Sequence, residues 1–378
     1  KICDIFENHY TIEKIGANGW NPEERLVTLC AALLHDVGHG PYSHTFEHIF
    51  QTNHEEITVE IITNPQTEIY QILQRVDNDF PEKVASVIQK TYPNPQVVQM
   101  ISSQIDADRM DYLLRDAYYT GTEYGTFDLT RILRDIRPCK EGITFSISGM
   151  HAIEDYIISR YQMYMQIYFH PVSRGMEVVL EHLLNRASQL YQSNPHYFGR
   201  ENCLLLPFLN AQFTLDDYLQ LDDGVLTTYF HYWNNDKDPV LSDLAKRFLN
   251  RKPFKSIQVQ AQKQEKLIEQ MKTYVEHVGY YAKYYTAIHS SFDLPYDLYR
   301  PDSSKVRTQI ELQQPDGTLV ELSQVSSLVR ALSGQGQGDD RFYFPKEMVD
   351  QTLQDNYDLF YETYNQFNQH IHNNKLVE

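Results

Sequence analysis

Cysteine is scarce in this chain: four cysteines stand far apart among 378 residues, and none forms a Cys-x-x-Cys pair. This spacing argues against a disulfide framework and a zinc knuckle, so we expect reduced thiols in a cytoplasmic protein. Long apolar runs are also missing. No stretch approaches the about 18 apolar residues of a membrane-spanning helix, and we expect no signal peptide. The sequence lacks G-x-G-x-x-G and Walker phosphate-binding motifs.

Basic residues are outnumbered by acidic ones. The 33 lysines and arginines stand against 51 aspartates and glutamates, which gives a formal net charge of −18. Such a charge disfavours non-specific binding to nucleic acid, although a local basic pocket can still bind phosphates. With 42% hydrophobic residues the chain can bury a sizeable core, and its length allows one large domain or two.

A histidine-rich stretch stands out near the N-terminus. Residues 33–44 read Leu-Leu-His-Asp-Val-Gly-His-Gly-Pro-Tyr-Ser-His, and Glu47 and His48 follow. Imidazole and carboxylate groups together are typical ligands of divalent metals. A lone His-Asp doublet arises often by chance, but four histidines, one aspartate and one glutamate within fourteen residues indicate a metal-dependent site.

The doublet is expected at the end of an amphipathic helix. Residues 21–24, Asn-Pro-Glu-Glu, are a typical helix start. The apolar residues that follow recur at helical spacing, and we expect this stripe to face a core. The stripe consists of Leu26, Leu29, Cys30 and Leu33. Gly38, Gly40 and Pro41 then end the helix.

A second chemical element lies in residues 106–119. Asp108, Tyr112 and Asp116 are spaced by four residues, so they share one helix face, and Arg109 flanks them. Two carboxylates, a phenol and a guanidinium on one face are unlike a core stripe. The alternative interpretation is an ordinary solvated face.

These motifs resemble the HD-domain metal phosphohydrolases. HDVGHGPYSH, the His-Glu-Glu of residues 54–56 and IDADRMDYLLRDAYYTG from residue 105 are similar to the deoxynucleoside triphosphate triphosphohydrolase branch. The resemblance covers residues 1–200 well and the remainder loosely. It implies hydrolysis of a dNTP to a deoxynucleoside and inorganic triphosphate.

The resemblance also implies the metal and the catalytic residues. The metal, Mg, Mn, Zn or Fe, would be held by His35, Asp36, Asp108 and a further histidine expected before Lys1. The implied catalytic residues are His39, His44, His54 and Glu55. His39 and His44 would neutralise the polyphosphate. Either His54 or His44, supported by Glu55 or Glu47, would give a proton to the leaving 5′-oxygen.

The implied substrate-binding residues are Arg109, Tyr112, Asp116, Arg160, Tyr164 and Tyr168. Arg109 and Arg160 would bind phosphate, and Asp116 would accept a hydrogen bond from the 3′-hydroxyl. Tyr168 would lie against the sugar and exclude a 2′-hydroxyl. The contact of Tyr164 stays open, because the branch has histidine there. We expect residues 151–185 to be helical, with a kink at Pro171.

Regulation by nucleotide is a further implication of the resemblance. The branch is expected to form a homo-oligomer, a tetramer by our expectation, that an activating nucleotide such as dGTP tightens. The implied allosteric residues are Arg131, His170 and Lys255. A basic cluster in this acidic chain is consistent with an anion site. It consists of Lys246, Arg247, Arg251, Lys252 and Lys255.

The fold class predicted is mostly α: an HD-domain helical core, a helical extension and a small C-terminal β-hairpin element. We assign residues 1–185 to the core, 186–300 to the extension and 301–378 to a regulatory or oligomerisation segment. Within the extension, residues 257–289 are expected to form one long helix. Alternation around Pro315-Asp316-Gly317 predicts the hairpin.

Two other functions remain open on the sequence. One is a different HD reaction, by a nucleotide 5′-phosphatase or a cyclic phosphodiesterase, which needs the same metal but not the sugar-binding residues. The other is a non-catalytic scaffold that senses dNTPs, against which the retention of His35, Asp36 and Asp108 argues.

Overall fold

Helices dominate the structure, a computed structural model that describes residues 1–198, 203–291, 309–332, 339–350 and 357–377. The mostly α fold class is confirmed. The α-helices are α1 (Ile2–His9), α2 (Ile12–Ile15), α3 (Arg25–Leu34), α4 (His44–Phe50), α5 (His54–Thr63), α6 (Glu68–Leu73), α7 (Phe80–Ile88), α8 (Pro95–Ile101), α9 (Ala107–Thr120), α10 (Leu129–Asp135), α11 (Met150–Met163), α12 (Pro171–Ser193), α13 (Leu206–Leu209), α14 (Leu215–Leu219), α15 (Asp223–Trp233), α16 (Pro239–Leu249), α17 (Glu265–His277), α18 (Ala282–Tyr285), α19 (Leu322–Val325), α20 (Ser327–Leu332) and α21 (Tyr357–Gln369).

Strands form two small sheets in the described residues. They are β1 (Ile136–Cys139), β2 (Gly142–Ser146), β3 (Lys255–Gln258), β4 (Ala287–Ser291), β5 (Glu311–Gln313), β6 (Leu319–Glu321), β7 (Asp339–Phe344), β8 (Ile371–His372) and β9 (Lys375–Leu376). One sheet has the order β1-β2-β5-β6, with β2 and β5 parallel and the other neighbours antiparallel. The other has the order β4-β7-β3-β9-β8, with β3 and β9 parallel.

The chain divides into two compact units. Unit 1 comprises Lys1–His39, Asn53–Ile167 and Asp293–Gly336, and unit 2 comprises Gly40–Thr52, Tyr168–Phe292 and Gln337–Glu378. Each unit has one of the two sheets. The boundaries that we placed by sequence near residues 185 and 300 stay a prediction.

Unit 1 is built from short helices around a buried core. Residues 54–105 form four of these short helices, α5 to α8. The predicted hairpin is also confirmed, since β5 pairs with β6 across the turn at Gly317, which has a φ of 87°. The largest side chains fully buried in this unit belong to Phe6, Trp20 and Tyr156.

Helix α3 buries a different face from the one predicted. Its N-terminal start is confirmed, because the Asn21 side chain accepts a hydrogen bond from the Glu23 amide at 3.1 Å. Within α3, however, Val27, Thr28 and Ala31 are buried. The three leucines of the predicted stripe are exposed, Leu33 by 79%, and Cys30 is half-buried. The expectation was wrong because small residues on the other face allow close packing.

In unit 2, helices α12 and α16 pack on each other, and α12 also contacts strand β3. The single helix expected for residues 257–289 is wrong: strand β3 ends there, α17 and α18 follow, and β4 begins at Ala287. Gly279, with a φ of 94°, ends α17 and prevents one continuous helix. Aromatic residues dominate this core, with Phe230, Phe254 and Phe342 among those fully buried.

Three further expectations concern the helix of residues 151–185, the cysteines and membrane-spanning helices. Residues 151–185 are helical, but a π-helical turn, Tyr164–Tyr168, separates α11 from α12, and Pro171 opens α12. All four cysteines are free thiols. Among the described residues, none of the helices combines the length and apolar character needed to cross a bilayer.

Candidate metal and substrate site

A histidine and two carboxylates meet in unit 1. His35 and Asp36 directly follow α3, and Asp108 lies in the first turn of α9. The Nε2 atom of His35 is 3.4 Å from Asp36 Oδ2 and 3.5 Å from Asp108 Oδ1. One ligand atom from each residue falls within 4.8 Å of the others. The three metal ligands predicted from the sequence are therefore adjacent in space.

A close approach between α5 and the turn after α3 fixes the doublet. The amide of Gly38 donates to the Thr58 hydroxyl at 2.9 Å, and this hydroxyl donates to the His35 carbonyl at 3.1 Å. A Cβ atom on Gly38 would lie 2.3 Å from the His54 carbonyl oxygen, so only glycine fits. Thr58 is fully buried, and no motif in the sequence indicates this role.

Asp106 fixes the start of α9, and with it the positions of Asp108 and Arg109. Its buried carboxylate accepts hydrogen bonds from the Ser103 amide at 2.9 Å and from the Arg109 amide at 2.7 Å. The same carboxylate also accepts a bond from the Arg109 guanidinium. A second bond from that guanidinium reaches the Ser103 carbonyl at 2.7 Å. An aspartate at a helix start is a recognisable cap in the sequence, but its bond to the Arg109 side chain is not.

Charge is strongly coupled between His35 and Asp108. The approach of the Asp108 carboxylate raises the pKa of His35 to about 9, and the imidazole in turn lowers the pKa of Asp108. The two carboxylates therefore favour the protonated, cationic form of the imidazole. A metal ion bound here would displace the proton from His35.

The donor set fits a divalent cation. His35 Nδ1 lies 3.0 Å from the Ala32 carbonyl oxygen, an arrangement that makes Nδ1 the donor and turns Nε2 toward the carboxylates. Within the described part of the chain, this buried Nε2 has no hydrogen-bond partner. Two aspartates beside it supply hard oxygen ligands and negative charge.

The rings of His39 and His54 stack in unit 1, with centroids 3.9 Å apart and planes 18° from parallel. His39 Nε2 also lies 3.8 Å from Asp36 Oδ1. His54 opens α5, where Asn53 caps the helix. Glu55, predicted to support His54, forms an ion pair with Lys90 at 3.0 Å. Two predicted catalytic histidines are thus in contact, while the role of Glu55 stays a prediction.

Helices α9 and α11 place two arginines among tyrosines. Burial raises the pKa of Tyr112, and the positive charges of Arg109 and Arg160 oppose that shift, so both guanidinium groups act on one phenol. The Tyr112 hydroxyl lies 3.4 Å from that of Tyr164, and the Arg160 guanidinium lies 5.5 Å from the Tyr164 ring centroid. Asp116 is half-buried on the same helix as Tyr112.

Each of these arginines carries a buried Nε atom. Among the described residues, the Nε atoms of Arg109 and Arg160 have no hydrogen-bond partner. Buried donors of this kind are costly unless a ligand satisfies them. Tyr164 belongs to the π-helical turn, a feature that is frequent at functional sites.

Other predicted site residues belong to unit 2. His44 opens α4, and its Nδ1 lies 2.9 Å from Glu47 Oε2. Tyr168 is half-buried at the end of the π-helical turn. His170 accepts a bond from the Val172 amide at 3.3 Å and so caps α12. Lys255 lies on β3, half-buried. The roles of these residues stay predictions.

Two basic residues proposed for activation have partners within their own unit. Arg131 forms an ion pair with Asp135 at 2.6 Å and donates to the Ser148 carbonyl at 2.9 Å. Arg247 is buried and pairs with Asp243 at 2.7 Å and with Glu347 at 2.9 Å. The interpretation of Arg247 as part of a basic cluster that binds an anion is therefore wrong, because its guanidinium is buried within unit 2 as well as paired.

Known proteins resemble this chain in sequence and in fold. The family model of the HD domain matches residues 7–116, and that of the HD associated region matches residues 127–200. The chain is 46% identical over 334 residues to the uncharacterized protein YwfO of Bacillus subtilis, a match that covers 88% of this chain and 77% of the relative. The match to an HD domain, together with the His35, Asp36 and Asp108 cluster, confirms the predicted divalent-metal cofactor.

Two further similarities concern enzymes. The crystal structure of a phosphohydrolase from Bacteroides thetaiotaomicron superposes with a TM-score of 0.73 at 25% identity, covering 91% of this chain and 84% of that one. The deoxynucleoside triphosphate triphosphohydrolase SAMHD1 homolog of Dictyostelium discoideum is 26% identical over 180 residues, which cover 44% of this chain and 34% of the relative.

Proposed function

Since this chain belongs to the HD-domain family of metal-dependent phosphohydrolases, we propose that it hydrolyses dNTPs to deoxynucleosides and inorganic triphosphate. The observation that carries the proposal is a pair of half-buried arginines, Arg109 and Arg160, whose buried Nε atoms have no hydrogen-bond partner among the described residues, in the unit that also holds His35, Asp36 and Asp108. A relative named as a deoxynucleoside triphosphate triphosphohydrolase adds support.

In the proposed reaction, water attacks the α-phosphorus and the bond to the 5′-oxygen breaks. The attacking water loses a proton, the leaving 5′-oxygen takes up a proton, and the deoxynucleoside and inorganic triphosphate are released. A divalent cation held by His35, Asp36 and Asp108 supplies Lewis-acid polarisation of a phosphate oxygen when bound. Arg109 and Arg160 neutralise the polyphosphate through bidentate hydrogen bonds.

A histidine must donate the proton to the leaving oxygen. We assign this role to His44, because Glu47 Oε2 lies 2.9 Å from its Nδ1 and orients the ring. His54 is the other candidate. The stacked pair of His39 and His54 is suited to contact the negatively charged triphosphate.

The sugar would be recognised by the tyrosines. In this proposal the phenol of Tyr112 packs on the deoxyribose, Asp116 accepts a hydrogen bond from the 3′-hydroxyl, and Tyr168 blocks a 2′-hydroxyl. Replacing Tyr168 by Ala should narrow the preference for dNTPs over rNTPs, since space opens beside the sugar. An unchanged ratio with activity retained would contradict this role.

Product analysis tests the reaction directly. The purified protein is incubated with each dNTP and each rNTP in Mg²⁺ or Mn²⁺, and the products are separated by anion exchange. We expect inorganic triphosphate and deoxynucleoside, and no products from an Asp36→Ala variant. Release of monophosphate would indicate a different HD reaction. Binding of dNTPs without turnover would indicate a sensing scaffold.

A matched pair of arginine variants tests the polyphosphate contact. Arg109→Gln should lower kcat/KM by about 10- to 100-fold, since a charged hydrogen bond contributes about 1.5–3 kcal/mol. Arg115→Gln is the control, because Arg115 lies on the same helix but is 56% exposed and pairs with Asp111. Equal losses in both variants would contradict the assignment.

We further propose that the active form is a homo-oligomer, a tetramer, activated by dGTP. Arg131, His170 and Lys255 are the proposed contacts for the activator. Sedimentation reports the assembly, and initial rates at rising dGTP report activation. A monomer with dGTP-independent kinetics would refute this part of the proposal and leave the catalytic assignment intact.

A further inference from the structure

The loop that leads into α4 has an unusual backbone. Tyr42 and Ser43 are adjacent and both have positive φ, 57° and 51°. In the described residues one other adjacent non-glycine pair has positive φ, Asn373 and Asn374 between β8 and β9. Asparagine tolerates that conformation in a hairpin turn, whereas tyrosine does so rarely. The strain at Tyr42 and Ser43 therefore needs contacts that maintain it.

Helix α15 supplies these contacts within unit 2. The Asp223 carboxylate accepts a hydrogen bond from the Tyr42 amide at 2.8 Å. The Tyr42 hydroxyl lies 2.9 Å from the Thr227 hydroxyl, one turn further along the same helix. The Tyr42 ring packs edge-on against Phe248, with centroids 5.4 Å apart, and lies near Phe230. Backbone, hydroxyl and ring of Tyr42 are thus all held.

This loop leads directly into His44, the first residue of α4. Ser43 precedes the first residue of α4, and the Ser43 carbonyl accepts the Glu47 amide at 3.2 Å. His44 itself is 76% exposed, so its own packing does little to orient it. Its position is set by the start of α4 and by Glu47. A change in the backbone at Tyr42 and Ser43 would rotate that start and move both residues.

We propose that Asp223 is a positioning residue for His44: with Thr227 it clamps Tyr42 in the strained conformation that sets the direction of the imidazole. This inference rests on the proposed function, in which His44 is the proton donor. The sequence between Leu215 and Trp233 gave no sign of such a link, because the contact joins residues far apart in the chain.

Aspartate variants at two adjacent positions separate positioning from stability. Asp223→Ala removes the acceptor for the Tyr42 amide. Asp222→Ala is the matched control, because Asp222 caps the same helix by accepting the Val225 amide at 2.7 Å. Both variants should lower the thermal midpoint. Asp223→Ala alone should lower kcat, about tenfold or more with KM nearly unchanged, because proton donation acts in the transition state.

Conservative variants supply a second readout. Asp223→Asn keeps an acceptor oxygen and should restore most of kcat. Tyr42→Phe loses the bond to Thr227 and should show a smaller loss than Asp223→Ala. This variant also keeps the proposal testable if Asp223→Ala fails to fold, since it removes a single hydroxyl. Wild-type kcat in both Tyr42→Phe and Asp223→Ala would contradict the proposal that Asp223 and Thr227 position His44 through Tyr42.

Hydrogen exchange tests the clamp without relying on turnover. Mass spectrometry of the full chain should show faster exchange in residues 41–47 for Asp223→Ala than for Asp222→Ala. Equal exchange in the two variants would overturn the proposal. If the unaltered protein released no triphosphate, the proposed function would fail, while the exchange experiment would still decide whether Asp223 holds the loop.

Discussion

His35 and Asp108 lie 3.5 Å apart, between Nε2 and Oδ1, although His35 directly follows α3 and Asp108 belongs to α9 of the same unit. The contact joins the end of α3 to the start of α9. It brings the two motifs that stand out in the sequence to one point, where the Asp108 carboxylate raises the pKa of His35.

Loss of the Asp108 charge should abolish tight metal binding. In Asp108→Asn the cation loses an anionic oxygen ligand. Substitution of residues that only support a metal ligand lowers metal affinity by about 10- to 100-fold. Loss of the ligand itself should lower the affinity for Mn²⁺ by more than that. Calorimetric titration measures this. Asp111→Asn is the control, because Asp111 lies on the same helix, 72% exposed and paired with Arg115. Comparable affinity in the two variants would contradict the metal assignment.

The hydroxyl of Thr58 should matter for both stability and metal binding. Thr58→Val leaves the Gly38 amide without its acceptor, which should lower the free energy of unfolding by about 1–3 kcal/mol. Metal affinity should fall about 10-fold, because the His35 backbone loses its tether. Thr63→Val is a control on the same helix, since the Thr63 hydroxyl bonds to the Val59 carbonyl within α5. Denaturation and metal titration measure the two effects. Equal losses in Thr58→Val and Thr63→Val would contradict this role of Thr58.

Substitutions on the two faces of α3 should differ in how strongly they lower the free energy of unfolding. Ala31→Leu inserts a large side chain at a fully buried position, and overpacking should cost about 1–3 kcal/mol of unfolding free energy. Leu33→Gln changes an exposed position and should stay within about 0.5 kcal/mol of the unaltered protein. Urea denaturation compares them. A larger loss for Leu33→Gln would mean that the predicted stripe is buried after all.

Acid stability should depend on Glu181. Its carboxylate lies 3.4 Å from His289 Nε2, and this partner lowers the pKa of Glu181 below its ordinary value of 4.5. The folded state then binds fewer protons than the unfolded state, so Glu181 stabilises the fold above pH 4.5. That contribution disappears as the pH falls through the lowered pKa.

Replacing Glu181 by Gln should therefore destabilise the protein at neutral pH and flatten the loss of stability in acid. Thermal midpoints measured from about pH 7 to about pH 3 would show both effects. Glu177→Gln is the comparison on the same helix, where Glu177 pairs with Arg174 at 2.6 Å. Parallel pH profiles for Glu181→Gln and the unaltered protein would contradict this contribution of Glu181 to stability.

Much of the metal cluster was predictable from local pattern. The His35-Asp36 doublet and the four-residue spacing from Asp108 are visible in the sequence, and the family resemblance joins them. The tethers that hold them are not visible. Thr58 is one of many threonines, and its bond to Gly38 depends on how α5 packs, which local spacing does not specify.

The errors share a physical origin. Helical periodicity gave the right element at α3 but the wrong buried face, because large exposed residues and small buried ones reverse the usual pattern. In residues 257–289, periodicity could not separate a short buried strand from a helix. Strand β3 is paired by β7, which follows much later in the chain.

The four-stranded sheet of unit 1 has a consequence for synthesis. Its strands β1 and β2 lie before residue 147, while β5 and β6 lie beyond residue 310, and Phe145 pairs with Leu312. During synthesis on the ribosome, His35, Asp36 and Asp108 are made long before strands β5 and β6, which complete the four-stranded sheet. The break between the units at His39 and Gly40 also falls inside the histidine-rich stretch. No single cut can therefore release either unit whole, and a fragment ending after the recognisable motifs would lack half of that sheet.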